Sequence, residues 1–399
     1  MKIVLISQFF SEGMGYTENI LPKYLSKLGH EVTVIASDLQ VYGNSQSYTD
    51  NYASFLGDAK CSIGESQQDG FVLHRLESYS IAGYVGLKKL GYQIKRLQPD
   101  IIQFIQVAGI NNFSTLLSPF KLHSAVFTEC HQHASISKNM TGRMNVSAYV
   151  NKLWYRISRT FPSFISHKRV EKCFAITPDC EVVANELYGV PVRKIVPLSL
   201  GTDTQLFHAC RSQEEEKQRN ELRAELGVES NQILAVYTGR FCANKNPLFL
   251  ARAIEILYNK DKKFTALFIG FGEQEIAIKA CKGCQVVDFQ PHNKLAGLYR
   301  AADIAVWPRE ESMSMLDAAA SGLPLIVSNK MGELDRVSGN GFTYNEESID
   351  SLVESLSQLE SKSKRDEMSK IGTDKMIKSY SWLAHAETRI EYYKIAMSK

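Results

Sequence analysis

The chain has 399 residues, of which 44% are hydrophobic and 22% charged, and its formal net charge is +3. This composition is that of a globular protein and excludes disordered and collagen-like chains, while the length fits two domains of roughly 150–200 residues each. No run approaches the ~18 apolar residues of a membrane-spanning helix, the apolar run in residues 1–7 is too short for a signal peptide, and eight scattered cysteines favour a reducing cytoplasm.

The first half of the chain alternates short β-rich runs with helical patterns, which is typical of a parallel sheet with crossover helices. The first predicted helix covers residues 18–28, because Ile20, Leu21, Tyr24 and Leu25 share one face and Gly29 ends it. Strands are predicted over residues 2–9, 31–37, 71–76, 101–106, 124–129 and 173–177.

An excess of basic residues lies between Lys121 and Lys172. Only Glu129 and Glu171 oppose the nine bases of this segment, which indicates an anionic partner. The bases are Lys121, Lys138, Arg143, Lys152, Arg156, Arg159, Lys168, Arg169 and Lys172.

The same segment carries an apolar stripe at helical spacing, which Pro162 is expected to divide into two short helices. We expect it either to dock on an anionic membrane surface or to pack on the core of the protein. From Val150 onward its apolar positions are Leu153, Trp154, Ile157, Phe161, Phe164 and Ile165.

The charged, polar residues 211–231 interrupt the alternation, and we interpret them as a linker region. A second alternation follows, with strands over residues 233–238, 264–269, 286–289, 304–307 and 323–328, and helices over 247–257, 273–281 and 294–302. Long helices run from Ser348 to the end. In open α/β sheets ligands bind beyond the carboxyl ends of the strands, so we expect the site in a cleft between two such sheets.

Three segments of the second half carry candidate chemistry. Tyr237-Thr238-Gly239-Arg240 ends a strand, and Lys245 precedes a helix. Fixed positive charges beside a helix N-terminus suit a diphosphate, although a solvated loop explains the same residues. Gly270 and Gly272 end the next strand, where glycine permits close approach of a ligand or merely reverses the chain.

The third segment follows the strand that ends at Trp307 and Pro308. Two adjacent acids and a serine-rich turn lead there into a helix of small residues, which carries Asp317. We expect free amides at the start of this helix, where sugar and diphosphate oxygens would sit. A plain helix cap is the simpler explanation of the acids and serines. The candidate residues are Glu310, Glu311, Ser312, Met313, Ser314, Met315 and Asp317.

In this order the three segments resemble the retaining glycosyltransferases of family 4, which have the GT-B fold. The likeness spans about residues 236–328, and Leu316-Asp317-Ala318 through Gly322-Leu323-Pro324 resembles the family's E-A and G-x-P motif. The resemblance implies that Arg240 and Lys245 hold the donor diphosphate.

It also implies that one acid contacts the donor sugar hydroxyls and that Asp317 accepts hydrogen bonds from the ribose. This sequence departs from the family in two respects: Asp317 replaces a Glu, and both Glu310 and Glu311 lie closer to it than the family spacing. Glu311 is favoured because the run Glu311-Ser312-Met313-Ser314 resembles the family motif. Phe289 and Gln290 fall where the family presents a loop to the nucleotide base.

The first half resembles the family less closely. Gly13, Gly15 and Tyr16 follow the first strand, where the family has a glycine-rich loop facing the transferred sugar. His131, rather than His133, matches the family's histidine near that sugar. The two histidines lack a third ligand for zinc, as does the Cys281/Cys284 pair, so no metal or cofactor is expected.

The resemblance also implies domain bounds, because Tyr380-Ser381-Trp382 resembles the start of the family's closing helices. We expect an α/β protein of the GT-B fold, with two facing, doubly wound Rossmann-like domains and a cleft between them. One domain covers residues 1–200 and is completed by a C-terminal helix at about 380–399, and the other covers residues 201–379.

The predicted function is sugar transfer, with retention of configuration, from a UDP- or GDP-sugar to a hydroxyl of a carbohydrate or lipid-linked acceptor. We expect it to act in cell-surface polysaccharide or glycolipid assembly, in the cytoplasm or peripherally on the cytoplasmic face of the membrane, without nucleic acid. The alternatives are a nucleotide-sugar epimerase or hydrolase on the same fold, a Rossmann oxidoreductase, and an inactive binding module. The oxidoreductase is disfavoured because no G-x-G-x-x-G opens the first helix.

Overall fold

The computed structural model describes residues 1–45, 48–81, 84–118, 122–132, 154, 156–332 and 334–399. The chain divides into two compact units. The first comprises Met1–Leu200 together with His385–Lys399, and the second comprises Gly201–Ala384. Both are built on parallel sheets whose strands alternate with helices along the chain, so the predicted α/β class is confirmed.

The first unit contains an eight-stranded sheet. Its strands are β1 Lys2–Ile6, β2 Glu31–Ser37, β3 Gly64–Gln67, β4 Val72–Leu76, β7 Ile101–Phe104, β8 Ala125–Cys130, β9 Val170–Ala175 and β10 Ile195–Pro197. The order across the sheet is β10-β9-β8-β7-β1-β2-β4-β3, and among these strands only β3 pairs antiparallel with its neighbour. Two further strands, β5 Ser78–Ile81 and β6 Tyr84–Leu87, form a separate antiparallel pair.

The helices of the first unit connect these strands. They are α1 Thr17–Lys27, α2 Tyr48–Asn51, α3 Ala53–Leu56, α4 Leu90–Leu97, α5 Ile110–Leu116, α6 Phe161–Ser166 and α7 Pro178–Val182. A π-helical turn over Arg156–Thr160 leads into α6. The central strands are largely apolar, as is typical of parallel strands covered on both faces: Leu5, Ile35 and Ile102 are fully buried.

The second unit contains a six-stranded sheet in which every pair is parallel. Its strands are β11 Ile233–Thr238, β12 Phe264–Ile269, β13 Cys284–Val287, β14 Ile304–Trp307, β15 Leu325–Ser328 and β16 Gly341–Tyr344. The order is β13-β12-β11-β14-β15-β16. The chain therefore builds outward in one direction from β11 and then returns to add β14 on the other side, which is the doubly wound Rossmann arrangement.

In the described part of the chain from residue 213 onward, eight α-helices follow. They are α8 Gln213–Glu225, α9 Pro247–Asn259, α10 Glu275–Ala280, α11 His292–Ala301, α12 Ser314–Ala320, α13 Ile349–Gln358, α14 Lys362–Ser379 and α15 Trp382–Met397. The last of these, α15, begins in the second unit and ends in the first. Within the described residues, no helix combines the length and apolar character that crossing a membrane requires.

The interpretation of residues 211–231 as a linker is wrong, because most of them form α8 within the second unit. Ser212 caps the helix by accepting a hydrogen bond from the Glu215 amide at 3.2 Å. Arg219 and Arg223 then reach the two carboxylate oxygens of Asp303, at 2.7 and 2.9 Å. Ion pairs and a cap attach this helix to the unit, and a hydrophobic pattern does not reveal such contacts.

Candidate functional site

The candidate residues of the second unit lie in loops at one edge of the six-stranded sheet. Gly239 and Arg240 directly follow β11, Gly270 follows β12, and Pro308 follows β14. Because β11 and β14 are neighbours at the point where the strand order reverses, their carboxyl ends open the crevice in which such sheets bind ligands.

Three glycines bring the loops after β11 and β12 into direct contact. Gly239, Gly270 and Gly272 all have φ between 144° and 148°, which disfavours other residues. A Cβ on Gly270 would lie 2.1 Å from the Gly239 carbonyl oxygen, and one on Gly272 would lie 2.6 Å from that of Phe241. The packing of the two loops therefore already requires glycine at positions 270 and 272.

Lys245 brings the loop after β11 to the two candidate acids. Its ammonium group lies 3.7 Å from Glu310 Oε2 and donates to the main-chain carbonyl of Glu311 at 3.3 Å. Asn246 follows with a positive φ of 49°, and α9 then begins at Pro247. Lys245 thus stands just before a helix N-terminus, as the sequence predicted, while Arg240 is exposed to solvent.

The adjacent acids differ in their surroundings. The Glu310 side chain is 53% exposed, whereas that of Glu311 is 28% exposed and lies with Oε2 3.4 Å from Nη1 of Arg336, which is almost fully buried. A Cβ on Gly332 would lie 3.2 Å from the other carboxylate oxygen of Glu311. The structure therefore turns Glu311 inward and Glu310 outward. Arg336 is a residue of this site that sequence reasoning missed, since no motif marks it.

Asp317 on α12 is 8% exposed, and its Oδ1 accepts a hydrogen bond from Thr202 Oγ1 at 2.7 Å. Burial raises the pKa of Asp317 to about 7, with the nearby Asp203 charge acting in the same direction against the Thr202 hydrogen bond. The carboxyl group is therefore poised between its neutral and charged forms near pH 7. Thr202 lies 115 positions away in sequence and was not predicted.

The turn that opens α12 is more occupied than the sequence suggested. The amides of Met315 and Leu316 donate to the carbonyls of Ser312 and Met313, at 3.1 and 3.0 Å. Expecting free amides there is wrong for these two residues. The Met315 side chain is fully buried in the core, and Met313 packs against the same core.

Ser314 is half-buried and contacts a buried polar pair beneath this turn. It hydrogen-bonds the Tyr299 hydroxyl, which is also 2.7 Å from Thr238 Oγ1 at the end of β11. These contacts join β11 to the start of α12. Phe289 and Gln290 lie half-buried in the loop after β13, where the Gln290 amide donates to the carbonyl of Asp288 at 3.1 Å.

In the first unit, His131 follows β8 and pairs with a buried carboxylate. Its Nε2 lies 2.7 Å from Glu129 Oε2, and Glu129 Oε1 accepts from Arg389 Nη2 at 2.7 Å. Burial opposes ionisation of Glu129, but Arg389 and His131 outweigh it and lower the pKa of Glu129 to about 2. Burial likewise disfavours the imidazolium form, yet the bond to Glu129 raises the pKa of His131 above its usual value. His133 lies outside the described residues.

The loop after β1 leads to a second buried acid. Gly13 has a positive φ of 75° with open space around its Cα, and Gly15 and Tyr16 are partly buried. On α1, Glu18 is nearly fully buried, and burial raises the pKa of Glu18 to about 7, although the charge of His131 acts in the opposite direction. Glu18 and Arg389 were not predicted from the sequence, because neither belongs to a local motif.

Among the described residues, no three His, Cys, Asp or Glu side chains form a group that could hold a metal ion. Cys281 and Cys284 donate instead to the carbonyls of Ala277 and Ala251, at 3.4 and 3.6 Å.

The apolar stripe predicted around residues 150–165 is largely exposed. Packing on the core was one of the two expectations, and it is wrong for four of its residues, whose exposed fractions are 56–63%. These four, Trp154, Ile157, Phe161 and Phe164, are called the apolar surface below. Of the surrounding bases, Arg156, Lys168 and Arg169 are exposed, and Arg169 also donates to the carbonyls of Leu116 and Ser118. Lys121, Lys138, Arg143, Val150, Lys152 and Leu153 lie outside the described residues.

Comparison with known proteins gives matches along the chain. Residues 232–362 match the family model described as "Glycosyl transferases group 1". The chain is 26% identical over 215 residues to spore coat protein SA of Bacillus subtilis (strain 168), an alignment covering 49% of this chain and 57% of that relative. It is 24% identical over 218 residues to the UDP-Gal:alpha-D-GlcNAc-diphosphoundecaprenol alpha-1,3-galactosyltransferase of Escherichia coli, covering 51% and 54%. The matched part thus spans little more than half the length of either relative.

Solved structures match along almost the whole chain. A glycosyltransferase from Rickettsia africae ESF-5 has a TM-score of 0.68 at 15% identity, covering 100% of this chain and 99% of that one. Anabaena Alr3699/HepE in complex with UDP-glucose has a TM-score of 0.65 at 13% identity, covering 99% and 100%. WaaG, a glycosyltransferase involved in lipopolysaccharide biosynthesis, has a TM-score of 0.63 at 13% identity, covering 100% of both chains. These likenesses confirm the predicted GT-B fold.

Proposed function

We propose that this protein is a glycosyltransferase that moves a sugar from a nucleotide-diphosphate sugar to a hydroxyl acceptor, with retention of the anomeric configuration, as in family 4. One observation carries the proposal: Lys245, Glu310 and Glu311 meet where the order of the second sheet reverses. That meeting point lies within residues 232–362, the segment matching the "Glycosyl transferases group 1" model.

The proposed chemistry needs no metal, because the chain's own cations serve the leaving group. Arg240 and Lys245 stabilise the negative charge that develops on the departing diphosphate. The departing phosphate then accepts the proton of the incoming hydroxyl on the same face of the sugar, so that configuration is retained. Glu311, held by Arg336, accepts from the sugar hydroxyls, and Asp317 accepts from the ribose. The protein contributes positioning and fixed charge rather than a conventional base.

The first donors to test are UDP-sugars. The Escherichia coli relative is named for a UDP-Gal donor, and the Anabaena structure contains UDP-glucose. The same Escherichia coli name specifies a diphosphoundecaprenol-linked acceptor, and WaaG is described as acting in lipopolysaccharide biosynthesis. We therefore propose a carbohydrate or lipid-linked acceptor and a role in cell-surface polysaccharide or glycolipid assembly.

The test is a thermal-shift panel of UDP, GDP, ADP and CDP and their sugars. A ligand at about 100 times its dissociation constant stabilises the folded protein by about 2.7 kcal/mol, which raises the melting temperature measurably. We expect one nucleotide and its sugar to stand out, and product analysis by NMR then gives the acceptor dependence and the anomeric configuration. A panel without any shift would contradict the proposal.

Removing either cation of the loop after β11 should weaken donor use. Each of Arg240→Ala and Lys245→Ala removes charge-assisted contacts worth about 1.5–3 kcal/mol, so kcat/KM should fall about 10–150-fold. Steady-state kinetics with the donor identified above measures this. Lys262→Ala is the control, because Lys262 forms a surface ion pair with Glu360 at 2.9 Å and its loss should leave kcat/KM unchanged. Wild-type donor affinity in both Arg240→Ala and Lys245→Ala would contradict the assignment.

We further propose that the apolar surface docks on an anionic membrane at the cytoplasmic face, where a lipid-linked acceptor would be presented. Four large apolar side chains are exposed together on the π-helical turn, α6 and the residue Trp154 before them. Exposed Arg156 and Lys168 lie beside them in sequence, and such bases add about 1 kcal/mol each near an anionic surface. Apolar burial with nearby positive charge is the pattern of interfacial helices.

Liposome co-sedimentation tests the docking. Binding to anionic vesicles should fall with salt, and the double variant Phe161→Asp/Phe164→Asp should lose it. Ile276→Asp is the matched control, because Ile276 is an 85% exposed apolar residue of the second unit and its replacement should change nothing. Equal binding to neutral and anionic vesicles, or no binding at all, would contradict the docking proposal and leave the enzyme proposal standing.

A further inference from the structure

The first unit contains a buried chain of charged and polar side chains that ends at His131. Glu129 and Arg389 are both fully buried, and Arg389 donates through Nη2 and Nε to Glu129 Oε1, at 2.7 and 3.2 Å. Glu129 uses its second oxygen, Oε2, for His131 Nε2 at 2.7 Å. The cation of α15 and the imidazole therefore compete for the negative charge of a single carboxylate.

A second layer holds that carboxylate in place. The Gln103 amide on β7 donates to Glu129 Oε1 at 2.5 Å, and the Gln103 oxygen accepts from the Tyr393 hydroxyl. Gln103 and Tyr393 are fully buried. The sheet and α15 thus fix both the position and the hydrogen-bond directions of Glu129, so that Oε2 remains directed at the histidine.

This geometry determines which nitrogen of His131 carries a proton. An ionised carboxylate at 2.7 Å accepts a hydrogen bond, so Nε2 holds its proton and the other nitrogen, Nδ1, is left for a different partner. Among the residues that the structure describes, the charged and titratable groups around the imidazole are Glu129 on β8, Glu18 on α1 and Cys180 on α7, with Arg389 acting through Glu129. The side chain of His131 is 29% exposed, so it remains accessible.

We infer that Glu129 and Arg389 are positioning residues that together fix the tautomer and the charge of His131, so that Nδ1 is presented to an oxygen atom of the sugar substrate. The substrate part of this inference rests on the proposed function. The control of His131 by Arg389 stands on the contacts within the first unit alone. A buried ion pair that only packed α15 against the sheet would leave the ionisation of His131 unaffected.

NMR of the full chain labelled with ¹⁵N and ¹³C histidine measures this ionisation without any assay of activity. The His131 signals are assigned by their loss in His131→Gln, and the ¹⁵N shifts report the tautomer directly. In the unsubstituted protein, the neutral imidazole should carry its proton on Nε2.

Replacing either partner of the ion pair should change the pKa of His131, and the two replacements should change it in opposite directions. Glu129→Gln removes the negative charge and should lower the pKa of His131 by at least about one pH unit. Arg389→Met leaves that charge without its cation and should raise the pKa of His131. The double variant Glu129→Gln/Arg389→Met should also lower the pKa of His131. This variant replaces the buried ion pair with two uncharged side chains, so it can be measured even if Arg389→Met fails to fold.

Glu171→Gln is the control. Glu171 on β9 forms an ion pair with Lys399 at 2.5 Å, so this pair, like that of Glu129 and Arg389, joins the sheet to the last residues of the chain. The substitution should leave the His131 titration unchanged. The inference is overturned if the pKa and tautomer of His131 do not change in Glu129→Gln and in the double variant. The outcome of the thermal-shift panel with nucleotides does not depend on the His131 titration, so the proposed function and this inference are tested separately.

Discussion

Replacing Glu311 with Gln is expected to lower kcat about a hundredfold, as for the loss of a preorganised polar contact made to the reacting substrate. The reason lies in the surroundings of the side chain. Glu311 is turned inward to buried Arg336, so its carboxylate is held in one direction before substrate arrives. A Gln oxygen still accepts from Arg336, so the free energy of unfolding should change by only about 1 kcal/mol or less.

The matched control is Glu310→Gln, one residue away. Glu310 is mostly exposed and lies 3.7 Å from Lys245, so its loss should cost only a fewfold in kcat. Steady-state kinetics with the donor found in the thermal-shift panel, together with melting temperatures, separates the two effects. The reverse ranking would exchange the roles of the two acids, and two near-silent substitutions would remove the active-site assignment.

Replacing Arg389 with Met is expected to lower the free energy of unfolding of the first unit by about 3–5 kcal/mol. The cost comes from Glu129, which would remain buried without its cation, rather than from the lost attraction itself. The double variant Glu129→Gln/Arg389→Met should recover most of the loss, because it leaves no unpaired charge. Amide hydrogen exchange along β8 and β9 reports the opening of this unit directly. Glu171→Gln, at a surface pair, should cost at most about 1 kcal/mol.

The same ion pair gives the first unit an acid-sensitive stability. The folded pKa of Glu129, about 2, is below its ordinary value of 4.5. The unfolded chain therefore binds a proton that the folded chain does not, and the stabilisation is complete above about pH 4.5 and is lost as the pH falls toward 2. Glu129→Gln should flatten this dependence in acid unfolding measurements. If the stability of Glu129→Gln still falls with pH as in the unsubstituted protein, Glu129 is not the cause of the acid sensitivity.

Much of the fold followed from the sequence because buried parallel strands are largely apolar runs. The bounds predicted for β2, β11, β12 and β14 agree with the structure to the residue. Strands without such a run were missed. The polar sequence GESQ of β3 and the short β10 and β16 gave no comparable signal, since these strands depend on pairing with neighbours already in place.

Part of the candidate site could likewise be predicted from the sequence, and part could not. Loop residues that directly follow strands, such as Gly239 and Gly270, could be placed by counting from the strand ends, and Glu311 was favoured because its run resembles a family motif. Their partners could not, because Arg336 is 25 positions from Glu311, Thr202 is 115 from Asp317, and Arg389 is 260 from Glu129. These pairs form only when separate parts of the chain pack together, and no local pattern records them.

The return of α15 to the first unit has a consequence for biosynthesis. Residues 201–384 form one continuous stretch and can fold as they leave the ribosome, whereas the first unit still lacks His385–Lys399 at that moment. At roughly 5–20 residues per second, the 260 positions from Glu129 to Arg389 correspond to a delay of about 13–52 s. Throughout that interval the nascent first unit holds a carboxylate without its cation. The first unit, whose synthesis begins before that of the second, is therefore completed after it.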